Sequence, residues 1–130
     1  MEKYIVKEPK AGDIVKVEIS NKLYHFGIYL GEDKIIEYGS AKDFLNTKKE
    51  DVKVQISSMK EFLSGKMALV RVYSLIDKLK KNSVKKTIKK AMDRIDEQKY
   101  DPINNNCEHF VNECVFNKHI SKQSDKFMHK

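Results

Sequence analysis

The chain has no tryptophan, two prolines, five glycines and two cysteines among 130 residues. So few cysteines exclude a disulfide-stapled scaffold, and a chain of this length can bury a core without one. The scarcity of proline and glycine excludes low-complexity or collagen-like organisation. No stretch approaches the roughly 20 apolar residues that span a bilayer. The first ten residues, Met1–Lys10, contain no apolar signal region, so the expected location is the cytoplasm.

What is present suits one domain. Hydrophobic residues make up 40% and charged residues 35%, a balance that fits a small globular protein and not a disordered one. Cys107 and Cys114 lie seven residues apart, about 10 Å along a helix. A disulfide needs Cα atoms within about 7 Å, so both are expected as free thiols.

The net charge is +7. It concentrates in Lys78–Lys99, where nine Lys and Arg residues face Asp77, Asp93, Asp96 and Glu97. No aromatics interleave the lysines up to Lys99, so nucleic acid is not expected as a partner. The plain reading is a solvated helix face; the partner such a face suits is an anionic membrane surface.

Hydrophobic patterning divides the chain in two. Ile14–Ile19, Leu23–Leu30, Ile35–Tyr38, Val52–Ile56 and Met67–Tyr73 read as strands, by alternation or by β-branched and aromatic content. Gly39–Asp51 reads as a loop with a helical turn around Phe44 and Leu45. Ser57 or Ser58 is expected to cap a short helix, with Glu61 in capping-box spacing from Ser58. Val84, Ile88, Ala91, Met92 and Ile95 form a helical stripe, with Asn82 or Ser83 as N-cap and a helix expected over 83–98. Cys107, Phe110, Val111 and Cys114 follow the spacing i, i+3, i+4, i+7, the buried stripe of a last helix. The fold class predicted is α+β: an antiparallel sheet of about five strands with the Cys-bearing helix packed on it. Residues 1–117 form the domain and 118–130 a basic C-terminal tail.

The chemistry centres on Cys107. It falls in the first turn of that helix, where unpaired N–H groups and the helix dipole favour an anion, and a thiolate is the nucleophilic form of cysteine. Thiol catalysis also needs an imidazole and a polar group to orient it. His25 lies in the middle of an apolar strand, where a polar ring needs a partner or a task. His109 is two residues past Cys107, about 200° around the helix. His119 and His129 lie in the basic tail. A zinc site from Cys107, His109, Cys114 and His119 lacks any paired ligand knuckle, so no metal and no cofactor are expected.

Asn106-Cys-Glu-His-Phe-Val111 resembles the signature of the lecithin:retinol acyltransferase-like family. That family includes the H-Ras-like-suppressor phospholipase/acyltransferases and sits within the NlpC/P60 papain-like superfamily in permuted order. Pro9-Lys-Ala-Gly-Asp-Ile14 resembles its opening turn, and Tyr24-His-Phe-Gly-Ile-Tyr-Leu-Gly31 its first histidine segment. The resemblance covers about residues 9–117. It implies a papain-like fold, Cys107 as the nucleophile that carries an acyl group, and His25 as general base and then acid. The family's third member, twelve residues after that histidine, is usually a second histidine; here it is Glu37.

A carboxylate can orient an imidazolium as well. Glu37 reaches His25 only if the two share a sheet face, which requires an even pairing sum across the hairpin. A three- or five-residue loop provides that; a two-residue loop opposes it. For the oxyanion, the candidates are the Cys107 N–H and the Tyr24 hydroxyl, although alternation turns Tyr24 away from His25. The function expected is thiol-dependent acyl hydrolysis or transfer on phospholipid or other acyl esters and amides. A cysteine peptidase or amidase, and a non-catalytic binding module on the same fold, stand as alternatives.

Overall fold

The structure, a computed structural model, describes residues 2–41 and 49–128. The helical turn expected around Phe44 and Leu45 lies outside the described residues. Among the described residues, six strands form one antiparallel sheet: β1 (Lys3–Ile5), β2 (Ile14–Ser20), β3 (Leu23–Gly31), β4 (Lys34–Tyr38), β5 (Val54–Ser58) and β6 (Leu69–Val72), in the order β1-β6-β2-β3-β4-β5. Five α-helices among the described residues accompany it: α1 (Met59–Leu63), α2 (Leu75–Lys80), α3 (Val84–Met92), α4 (Cys107–Phe116) and α5 (Lys122–Met128). This is the α+β architecture expected, with one strand more than the five anticipated. The extra strand, β1, is three residues long and pairs only with β6.

Alternation along the strands separates two cores. Ile14, Phe26, Ile28, Ile36, Tyr38 and Val54 face α4 and pack on Cys107, Phe110, Val111 and Cys114. The expected helical stripe is therefore the contact between α4 and the sheet. Full burial of side chains such as Phe110 and Val111 contributes about 1.5–3 kcal/mol each. Val15, Val17, Ile35 and Val70 turn to the other face and pack on Met59 and Phe62 of α1. Ser58 caps α1 with Glu61 in the predicted capping box.

The helix expected over 83–98 ends at Met92. Of the two expected N-cap candidates, Asn82 and Ser83, it is Ser83 that caps its start. At the other end the backbone turns left-handed at Asp96 (φ 71°), and the Asp96 N–H donates to Val54 O while the Val54 N–H donates to Glu97 O. The last turn is exchanged for two hydrogen bonds to the start of β5. That strand begins at Val54, two residues later than expected, and runs to Ser58.

The stretch read as a basic tail contains α5, with Ser121 and Ser124 buried at its start. Cys107 and Cys114 are both free and buried. Among the described residues, no helix is long and apolar enough to cross a membrane.

Candidate active site

The β3–β4 hairpin decides where Glu37 points. Its turn is the two-residue pair Glu32–Asp33, both left-handed (φ 50° and 63°), between Gly31 and Lys34. Continued unbroken, that register would put Glu37 on the face opposite His25. A one-residue bulge intervenes: Tyr29 pairs with Ile35 but Gly31 with Lys34, leaving Leu30 extra. Gly31 takes up the distortion at φ 99°. Beyond the bulge Gly27 pairs with Glu37, so Glu37 and His25 share a face. The expectation that a two-residue loop separates them is thus corrected: the bulge reverses the parity.

Gly27 sits directly across from Glu37 and next but one to His25. A Cβ there would lie 2.8 Å from the Ile35 side chain and 3.0 Å from Ile36 O. His25, two residues before Gly27 on the same face, is the diagonal neighbour of Glu37.

Along that diagonal the His25 Nε2–H donates to Glu37 Oε1 over 2.7 Å. Glu37 Oε2 accepts from Gln55 Nε2 at 3.1 Å and from the Ser57 hydroxyl. Three donors thus satisfy a buried carboxylate that would otherwise cost several kcal/mol to enclose. The Phe62 ring packs on the imidazole with centroids 5.2 Å apart.

His25 lies two residues beyond the last β3–β4 pair, where the sheet opens. Its Nδ1 is buried with no regular hydrogen bond, and Cys107 is the neighbour that acts on the ring most strongly. Burial alone would push His25 below its usual value. Interaction with the Cys107 sulfur and the Glu37 carboxylate outweighs that and raises it to about 10, so the ring is charged at neutral pH. At the second cysteine, burial pushes the Cys114 thiol up to about 12, as suits a core residue.

The segment around Cys107 is built to hold the start of α4. Asn106 Oδ1 accepts from the N–H groups of Glu108 and His109, at 2.9 and 3.1 Å. The Asn106 N–H donates in return to His109 Nδ1 at 3.0 Å, a capping box with histidine in the place of the usual glutamate. This role for His109 escaped the sequence reading because the familiar capping signature ends in Glu or Gln. Burial and the stacked His119 ring (4.2 Å) hold His109 below its usual value, which keeps Nδ1 free to accept.

Glu108 reaches from α4 to α5. Its Oε1 accepts from Ser121 Oγ at 2.8 Å and from the Gln123 N–H at 3.0 Å. Gln123 in turn accepts from the Tyr24 N–H at 2.7 Å and donates to Tyr24 O at 3.2 Å. At Tyr24 the strand has lost β4, and the Gln123 amide supplies the missing pairing. A chain of contacts, Cys107–Glu108–Gln123–Tyr24–His25, therefore ties Cys107 to His25 through α5.

Tyr24 faces the α4 side of the sheet, opposite to His25, with the Lys16 ammonium 4.0 Å above its ring. The structure brings His25 to both Cys107 and Glu37 and turns the Tyr24 side chain to the sheet face opposite His25 and Glu37. Among the described residues no group of three or more His, Cys, Asp or Glu side chains is arranged to hold a metal.

A family model described as lecithin retinol acyltransferase matches residues 7–120. Lecithin retinol acyltransferase from Mus musculus is 29% identical over 89% of this chain and 58% of its own length. The Homo sapiens protein of the same name is 26% identical over the same shares. The chain thus spans under three-fifths of the length of these curated relatives.

Proposed function

The chain belongs to the lecithin retinol acyltransferase family, and from that footing we propose that it is a thiol-dependent acyl hydrolase or acyltransferase working through a Cys107 thioester. The observation that carries the reading is the arrangement of His25, with one ring nitrogen on a buried carboxylate and the other left for a cysteine at a helix start.

Each residue then has a task. The Cys107 thiolate attacks the carbonyl carbon of an acyl ester or amide. The developing oxyanion is met by the Cys107 N–H, a first-turn donor that the Asn106 side chain leaves aside. As the C–O or C–N bond breaks, the His25 imidazolium gives its proton to the departing alcohol or amine. Water, or an acceptor alcohol or amine, then attacks the thioester. His25 takes its proton, and the thiolate departs from the acyl carbon. Glu37 keeps the ring oriented and stabilises its positive charge in both halves of the cycle.

The proposed donor is a phospholipid acyl chain, after the lecithin in the relatives' name. Cys107 and His25 are fully buried, so local opening precedes attack. Intact-mass spectrometry after incubation with a phospholipid or an activated short-chain ester tests the reading. The expected result is one added acyl mass, absent in Cys107→Ala. Adducts from peptides or amides alone would move the activity to a peptidase or amidase.

A further inference from the structure

Helix α2 is packed inside out. Ser74 caps it, and Ser74, Asp77 and Lys80 line a cleft against the body of the protein with Arg71, Phe116 and Lys122. An Arg71–Asp77 contact of 3.4 Å fastens that polar side. The apolar side chains lie on the outer face: Leu75, Ile76 and Leu79 are 80%, 63% and 87% exposed, and α2 has no buried residue. Three large apolar groups within five residues form a patch that folding leaves uncovered, where scattered single ones would need no explanation.

The charge around the patch indicates its occupant. From Leu75 to Met92 the chain carries Lys78, Lys80, Lys81, Lys85, Lys86, Lys89 and Lys90 against a single acid, Asp77, which faces Arg71. Lys78, Lys80, Lys85, Lys86 and Lys89 are exposed, and of these Lys89 pairs with Asp93 at 2.9 Å. An apolar helix that carries exposed lysines of its own, followed by more on α3, matches an anionic lipid surface, with leucines entering the acyl boundary and lysines level with the headgroups. A second copy of this chain would bring the same positive charge against itself.

We propose that α2, with the lysines of α3, is the element by which this protein docks on anionic membranes. The patch belongs to β6–α2–α3 and not to the segments that carry Cys107, His25 and Glu37. The inference gives the acyl chemistry a lipid surface to work on but stands without it.

The test is co-sedimentation of the full chain with vesicles of phosphatidylcholine alone or with phosphatidylglycerol added. Binding is expected to the anionic vesicles only, weakened roughly tenfold or more by Leu75→Ser with Leu79→Ser, and similarly by Lys85→Glu with Lys86→Glu. Raising salt from about 0.05 M to about 0.5 M should weaken it as well. All these side chains are exposed, so circular dichroism should show both variants folded. Cys107→Ala should bind as wild type does, which separates docking from chemistry. Equal binding by the α2 variant and wild type, or no binding to either vesicle, would overturn the proposal. So would a dimer in solution that the α2 substitutions dissociate, since the patch would then be filled by a second copy.

Discussion

His25 and Glu37 meet through a 2.7 Å hydrogen bond between two enclosed side chains, on strands whose tight turn would by itself have kept them apart. The carboxylate holds a charge partner for the imidazolium where water cannot. Glu37→Gln keeps the shape and removes the charge. The expected outcome is a fall in kcat of roughly 100-fold or more, with the alkaline limb of the pH–rate profile shifted to lower pH. A variant with unchanged rate and unchanged profile would remove Glu37 from the catalytic group.

His25, raised by Cys107 and then by Glu37, makes stability depend on pH. The folded His25 value, about 10, lies above an unfolded value near 6.5. The stabilisation is therefore complete below about pH 6.5 and is lost as pH rises towards 10. Thermal melting of the wild type should show Tm declining across that window. Glu37→Gln should start lower and decline less.

The hairpin also marks the limit of what could be read in advance. Residue types and spacing located His25 and Cys107, the family resemblance pointed to Glu37, and the helical stripe through Cys114 located the core face of α4. Whether Glu37 faced His25 turned on the bulge at Leu30. Nothing local in Tyr29-Leu-Gly31 distinguishes a bulged register from a regular one, because the preference arises from packing on both sheet faces. Strand β1 and helix α2 were missed for related reasons. β1 is three residues long, and α2 turns its apolar side to solvent, so neither carries the pattern of a buried element. Helix α5 was hidden by its lysines, since its docking rests on Ser121, Gln123 and Ser124 and not on an apolar stripe.

Gln123 provides a prediction far from Cys107 in sequence. Gln123→Ala removes both hydrogen bonds to Tyr24, beside His25. We expect a loss of about 1–2 kcal/mol in urea unfolding and a fall in kcat of about tenfold. Gln123→Glu, which keeps the acceptor and loses the donor, should fall between. Wild-type kinetics in Gln123→Ala would show that α5 does not position His25.

His109 separates capping from catalysis. His109→Gln can still accept from the Asn106 N–H and should keep stability and rate within about threefold. His109→Ala should cost about 1 kcal/mol of stability. Asn106→Ala removes the cap together with its bonds to Ser121, Ser124 and Pro102 and should cost about 2 kcal/mol or more. Urea denaturation of the three variants checks the order.

Gly27 tests the diagonal directly. Gly27→Ala would press on Ile35 and the Ile36 carbonyl, with an expected cost of about 1–3 kcal/mol and a lower kcat from the displaced Glu37. A neutral Gly27→Ala would mean that β4 yields without moving the carboxylate.

The central claim is covalent acyl transfer through Cys107, and intact-mass spectrometry with a phospholipid or an activated ester reads it directly. The account predicts a single acyl adduct on the wild type, mapped to Cys107 and released by water or an added alcohol or amine, with none on Cys107→Ala. An adduct that persists in Cys107→Ala, or no adduct from any ester, amide or phospholipid, would contradict it.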